Sequence, residues 1–265
     1  MKPDKPMMKE SIRLPAILLF AALAGACSKG SNVTDRAPVD PDARSAGERL
    51  ASNGRDDVTA CITCHGEHGE GNAEAGYPRL AGLHPDYITK QLQDYRRDPL
   101  QVGVHIEPIA RDYSKTPRFY NDLTIYTPGT RNDPVMNGIA GQLTETEIHN
   151  LAVYYGSLPF EATPVPGDFQ SLEYGMELAM RGKPEYMVPR CDSCHGPKGE
   201  GFGPHFPPLA GQPVNYLISQ ISKWQNGQRD NDHLSMMKNT ANQLTDGDKI
   251  NVAKYYANQS FSVNQ

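Results

Sequence analysis

CITCHGEHGEG, Cys61–Gly71, and CDSCHGPKGEG, Cys191–Gly201, carry the same C-x-x-C-H pattern followed by the same glycine spacing. The 265-residue chain has five cysteines, and these two stretches use four of them. Outward from them, the similarity continues in both directions. Gly47-x-x-Leu50 precedes the first stretch, and YPRLAG, DYITKQLQDY and MNGIAGQLTETEIHNLAVYY follow it. The second has Gly175-x-x-Leu178 before it, and FPPLAG, NYLISQISKW and MKNTANQLTDGDKINVAKYY after it. Cys61 and Cys191 are 130 residues apart, Tyr95 and Trp224 are 129 apart, and Met136 and Met237 are 101 apart. The chain is therefore a tandem duplication whose first copy carries 28 extra residues between Tyr95 and Met136.

The periodicity is helical throughout. Thr144-x-x-Glu147 and Thr245-x-x-Asp248 are capping-box starts, each opening a helix with apolar positions on one face: Ile148, Leu151, Ala152 and Tyr155, then Ile250, Ala253 and Tyr256. Pro85 and Pro213 suit the first turn of the middle helices. No alternating run bounded by hairpin turns predicts a strand.

Closely spaced cysteines beside a histidine serve three chemistries. A thioredoxin-like redox pair needs a βαβ context, which the helical pattern lacks. Zinc needs four convergent ligands, and each copy supplies two cysteines and one histidine at suitable spacing. Covalent haem attachment fits: Cys61 and Cys64, or Cys191 and Cys194, reach the two vinyl groups of one porphyrin, and His65 or His195 swings beneath the iron. Two haem c groups are the expected cofactors. Gly66, Gly69 and Gly71, with Gly196, Gly199 and Gly201, allow a sharp turn beside the macrocycle. Pro78 and Pro207 follow thirteen and twelve residues after the histidines, where a backbone carbonyl can accept the imidazole N–H and tune the iron; the alternative is that they only shape the loop.

An electron carrier needs the sixth iron position filled, and a thioether favours the ferrous state. Met136 and Met237 occupy matching positions, in loops just upstream of a helix, and are the expected axial partners of His65 and His195. Met236 is a rival, but its register partner is Val135, which cannot ligate. Met176, Met180 and Met187 read as helix-packing residues. His105 and His233 share the long loops with the methionines and are the alternative ligands, whereas His68, His84, His149 and His205 read as surface or hydrogen-bonded residues. Tyr95 and Trp224 line the pocket or serve as plain core aromatics.

The N-terminus is of another kind. Lys2, Lys5, Lys9 and Arg13 precede the apolar run Leu14–Ala26, which ends at Cys27. Thirteen helical residues reach about 20 Å, short of a hydrocarbon core of ~30 Å, so residues 1–26 read as an export signal. Leu23-Ala24-Gly25-Ala26-Cys27 resembles a bacterial lipobox, with Ala24 where a larger aliphatic residue is preferred; cleavage by an ordinary signal peptidase is the alternative. Lipidation of Cys27 would anchor the chain to a bacterial membrane on its periplasmic side, and Ser28 favours the outer one. Loss of residues 1–26 leaves 22 Lys+Arg against 29 Asp+Glu, a net charge of −7, which argues against a nucleic-acid partner. Residues 27–44 read as a flexible tether, 45–157 as the first domain with an insertion at about 105–132, 158–168 as a linker, and 169–265 as the second domain.

From Gly47 to the end, the two halves resemble the dihaem class I cytochromes of the cytochrome c4 type. The shared features are CHGxxGxG, the P-x-L-A-G turn, Y-x-x-x-Q-[LI], and M-x6-L-T followed by a helix ending in Tyr-Tyr. The resemblance implies an all-α fold of two tandem class I cytochrome c domains, each wrapped around one covalently bound haem with His and Met ligation. It also implies haem propionates facing one another across the interface. Such proteins carry electrons in the periplasm, from respiratory complexes or dehydrogenases towards terminal oxidases, so redox proteins are the expected partners. Dihaem enzymes are the competing reading. A dihaem peroxidase needs an open iron, whereas both copies here supply a methionine. Dihaem thiosulfate dehydrogenases use an axial cysteine, and only Cys27 remains for that.

Overall fold

The computed structural model describes residues 39–96, 130–162, 169–260 and 262–263. Cys27, His105 and the extra segment up to residue 129 lie outside the described residues. The first copy contains α1 (Pro41–Asn53), α2 (Ile62–His65), α3 (Pro85–Arg96), α4 (Pro134–Gln142) and α5 (Glu145–Ser157). The second repeats them as α6 (Phe169–Arg181), α7 (Asp192–His195), α8 (Val214–Gln225), α9 (Met236–Asn242) and α10 (Asp246–Ala257).

Local chemistry fixes the boundaries. Asp40 caps α1 by accepting from the Asp42 and Ala43 amides, and Pro41 takes the first helical position. The helix thus takes in the last four residues of the predicted tether, because the acidic cap and the proline start it there. Both predicted capping boxes form: Thr144 and Glu147 open α5, and Thr245 and Asp248 open α10. The acids of these boxes also hold the loop after the first helix of their own copy, through Arg55 to Glu147 and Lys183 to Asp248, both at 2.7 Å. Pro85 opens α3, but Pro213 sits one position outside α8 as its N-cap.

In each copy the first helix crosses the last at a glycine. A Cβ on Gly47 would lie 2.1 Å from the Asn150 carbonyl oxygen, and one on Gly175 would lie 2.2 Å from that of Asn251. Side chains close both cores around these crossings. Ala51, Leu83, Ile88, Ile148, Leu151 and Tyr155 are buried in one, and Leu178, Ala179, Leu217, Val252, Ala253 and Tyr256 in the other.

The four two-residue strands among the described residues were not predicted, since two residues carry no alternation to read. β1 (Thr130–Arg131) pairs antiparallel with β3 (Arg229–Asp230), joining the copies. β2 (Phe160–Glu161), inside the stretch read as linker, pairs antiparallel with β4 (Ser262–Val263). Thr130 and Arg131, read as the end of the insertion, are thus built into the interface. Arg79 adds a second joint. Its backbone N–H donates to Gln212 Oε1 at 3.1 Å, and its carbonyl accepts from Gln212 Nε2 at 3.0 Å. The Arg79 guanidinium is wholly buried, donating to the Ala210 carbonyl at 3.1 Å and lying 4.0 Å from the centre of the Phe160 ring. Among the described residues, no helix is long and apolar enough to cross a membrane.

Candidate functional site

Each copy holds one deep cavity whose walls come from the motif helix, the proline loop, the middle helix and the methionine helix. The first, about 420 Å³, is lined by Cys61, Cys64, His65, Pro78, Tyr95 and Met136 among others. The second, about 530 Å³, is lined by Cys191, Cys194, His195, Pro207, Trp224 and Met237 among others. The structure thus brings both thiols, the histidine and the methionine of each copy onto one apolar cavity.

The motif helices α2 and α7 are a single turn, and each turn ends at its histidine. The chain then folds back, so that the His65 carbonyl accepts from Gly71 N–H and the His195 carbonyl from Gly201 N–H, both at 2.7 Å. Gly69 and Gly199 carry this turn at φ 71° and 75°. A Cβ there would run into the rings of Tyr155 and Tyr256 at 2.8 and 2.5 Å, so glycine is required on both counts.

The returning loop brings the proline carbonyls to the imidazoles. His65 Nδ1 lies 2.9 Å from Pro78 O, and His195 Nδ1 lies 2.9 Å from Pro207 O. A carbonyl can only accept, so Nδ1 carries the proton and Nε2 keeps its lone pair for a metal. Burial holds both imidazoles below the ordinary histidine range, against the smaller upward pull of the proline carbonyls. Neutral imidazole is the ligating form.

Met136 and Met237 sit in the first turns of α4 and α9 rather than in loops. The sequence signal was Asp133 and Asp232, whose carboxylates accept from the methionine amides at 3.2 and 2.7 Å and so start each helix at the cavity wall. The rivals are placed differently. Met236 is 40% exposed and its register partner Val135 is 56% exposed, whereas Met237 packs against the second core. Met236 and the exposed His233 also reach the rim of the second cavity. Met176 and Met180 fall on the outer face of α6, opposite buried Leu178 and Ala179, and Met187 ends an exposed 3-10 turn. The helix-packing reading of these three is therefore corrected.

Tyr95 and Trp224 are buried on the cavity walls, each beneath a guanidinium. Arg131 lies 4.3 Å from the Tyr95 ring centre and Arg229 lies 3.9 Å from that of Trp224. Trp224 Nε1 donates to Asp232 at 2.9 Å, bracing the start of α9.

The donor set fits a haem c in each cavity. Two thiols line each cavity, and a neutral imidazole has its outer nitrogen occupied. A thioether stands in the same pocket. Among the described residues, the buried Tyr256 hydroxyl on the second cavity wall has no hydrogen-bond partner, and its counterpart Tyr155 lies beside the Cys61 thiol.

Two small helical modules in tandem, each built around such a cavity, define a dihaem protein with one haem c per module. Comparison with known proteins agrees. The cytochrome c family model matches residues 46–159 and 179–260. The thiosulfate dehydrogenase electron acceptor of Stutzerimonas stutzeri (strain A1501) is 36% identical over 200 residues, which span 75% of this chain and 78% of that protein. Among solved structures, reduced recombinant cytochrome c4 from Pseudomonas stutzeri aligns with a TM-score of 0.61 at 26% identity, over 82% of this chain and 98% of that one. The as-isolated form of thiosulfate dehydrogenase (TsdBA) from Marichromatium purpuratum aligns with a TM-score of 0.65 at 32% identity; the match covers 82% of this chain and 40% of that chain. The chain belongs to the cytochrome c family, as a dihaem class I cytochrome of the cytochrome c4 type. Its role is electron transfer rather than turnover of a substrate, in keeping with relatives named as electron acceptors and cytochromes c4.

Proposed function

We propose that the chain is a periplasmic carrier that takes electrons from a dehydrogenase and passes them to a terminal acceptor such as an oxidase. A thiosulfate-oxidising dehydrogenase is the donor favoured by the 36% identity to a thiosulfate dehydrogenase electron acceptor. The observation that carries the reading is the presence of a histidine and a methionine in the same register on the wall of both cavities. If the histidine and the methionine both ligate, neither iron would be left open for a substrate, and oxidation state could change with little rearrangement.

In this reading Cys61 and Cys64 hold the first haem as thioethers, and Cys191 and Cys194 hold the second. His65 with Met136 and His195 with Met237 would hold the two irons. Bound there, the haems supply one-electron storage at two sites. The chain's own residues orient the imidazoles through Pro78 and Pro207, exclude water with the apolar walls, and fix the methionines through Asp133 and Asp232. Changing Met136 or Met237 to Ala should each remove half of the methionine–iron charge-transfer band. A full band in either variant would reject that pair. Rapid mixing with a thiosulfate dehydrogenase and thiosulfate should reduce both haems of the wild-type protein, and a chain left oxidised would reject that donor.

Cleavage before Cys27 and lipidation of its thiol would tether the two domains to the membrane. Mass spectrometry of the mature N-terminus checks this, and an unmodified start after Ala26 rejects it. The extra segment between Tyr95 and Met136 carries Tyr113, Phe119, Tyr120 and Tyr126, with opposing charges that nearly cancel. Aromatic residues with nearly balanced charges suit partner contact more than long-range steering. Shortening it up to residue 129, which spares Arg131, should leave both haems methionine-ligated and slow exchange with one partner. Wild-type rates with every partner would leave the segment as a shield of the first haem.

A further inference from the structure

The two cavities share a wall. Leu83, Tyr87, Gln91, Tyr216 and Gln220 line both of them, while Arg131 lines the first and Arg229 the second. These two arginines are Cα partners in the β1–β3 pair, and each is 5% exposed. Arg131 donates to Gln91 Oε1 at 3.0 Å and to Gln220 Oε1 at 2.6 Å. Arg229 donates to Gln220 Oε1 at 3.0 Å, to Gln91 Oε1 at 3.4 Å and to Asn231 Oδ1 at 2.9 Å. Tyr216 and Tyr87 hydroxyls complete the two sets at 3.5 and 3.4 Å. Each guanidinium therefore rests on the amide oxygens of both copies, and every one of these acceptors is neutral.

Among these acceptors there is no counter-charge, and Asp133, which acts on Arg131 only at a distance, is itself paired with Lys223. Like charges facing across a strand pair repel, and an unpaired buried charge is strongly destabilising. Among the described residues, neither arginine forms an ion pair. The neighbouring carboxylates are engaged elsewhere: Asp94 with Lys90 and Asn231, Asp133 with Lys223, and Asp232 with Trp224 and two backbone amides. Anions held in the two cavities would supply the missing counter-charge. Haem c brings two propionate carboxylates, on the edge of the ring opposite the vinyl groups that the cysteines hold.

We propose that Arg131 and Arg229 are the counter-charges of the haem propionates, one guanidinium for each haem, and that Gln91 and Gln220, shared by both, join them into one electrostatic unit. Both are positioning residues that tune the irons through the propionates. A nearby cation opposes the extra positive charge of ferric iron, so its removal favours the ferric state. Arg131→Gln should lower the ferrous-to-ferric ratio of the first haem about tenfold at fixed potential, ~59 mV, with a smaller fall at the second. Arg229→Gln should do the reverse, and spectroelectrochemical titration resolves the two steps. Both potentials unchanged in an assembled Gln variant would overturn the proposal. Arg131→Lys and Arg229→Lys keep the charge and provide a second readout where a Gln variant does not assemble. Each should stay within about threefold of the wild-type ratio, because the charge is retained. Each should also move the propionate carboxylate band in the infrared redox-difference spectrum. An unmoved band means that the guanidiniums do not touch the propionates, and it overturns the assignment.

Discussion

Replacing Gly47 with Ala sets two effects of opposite sign against each other. Helix propensity alone favours Ala over Gly in a helix interior by about 1 kcal/mol. Packing opposes it, because the new methyl would stand 2.1 Å from the Asn150 carbonyl oxygen and 2.7 Å from Tyr154 Cβ. Favourable contact needs about 3.5 Å or more, and the obstacle is helix backbone, so α1 must retreat from α5. Overpacking of this kind costs ~1–3 kcal/mol, and a backbone collision places the cost at the upper end. The net expectation is a loss of about 2 kcal/mol, or a fall in Tm of roughly 10 °C for a domain of this size. Gly175→Ala should behave alike, with 2.2 Å to Asn251 O. The internal control is Gly247→Ala in α10, where the nearest atom is Thr245 Oγ1 at 3.8 Å; there propensity acts unopposed and stability should rise. Thermal unfolding of the haem-loaded proteins, followed by circular dichroism, reads all three. A Gly47→Ala protein as stable as the Gly247→Ala protein would refute the claim that the helix crossing requires glycine.

Three further outcomes follow from the same geometry. Burial pushes the Asp248 carboxyl up, but hydrogen bonds from Lys183, Tyr174 and Thr245 outweigh it and hold the pKa at about 2. A folded value below the unfolded one, near 3.9, contributes about 2 kcal/mol above pH 4 that is lost as pH falls towards 2. Asp248→Asn should remove that part of the acid dependence, and denaturant midpoints between pH 2 and 5 would show it. Thr144→Ala and Thr245→Ala should each cost ~1 kcal/mol, the ordinary loss of an N-cap, measurable in the same denaturant series. Gln212→Ala strands the buried Arg79 N–H and C=O, at about 1–3 kcal/mol for each unpaired group. The two domains should then melt separately in calorimetry, and a single unchanged transition would count against this joint.

Much of the site was legible because its chemistry is local. C-x-x-C-H fixes a one-turn helix, the glycine spacing fixes the return, and the return delivers Pro78 and Pro207 to the imidazoles. The capping boxes were readable for the same reason. What escaped is non-local or out of register. Arg131 and Arg229 are 98 residues apart whereas the methionines are 101 apart, so aligning the copies on Met136 and Met237 does not pair the arginines. Only the strand pair and the aromatic rings beneath them show their equivalence. Arg79 has Pro208 as its register partner, so no repeat-based comparison could mark it as a joint. The outward Met176 and Met180 misled because a methionine at helical spacing reads as core until the buried face of α6 is known.

The β2–β4 pair has one more consequence. Phe160–Glu161 leads into the second repeat and Ser262–Val263 leads out of it, and the two lie side by side. A unit that is entered and left at a single seam is topologically a bead on the chain. Its ends can be joined or cut at the seam to permute the repeat, although Tyr216 and Gln220 of that repeat also wall the first cavity. Duplication of such a bead adds a redox centre, because each bead brings its own cysteines, histidine and methionine with it.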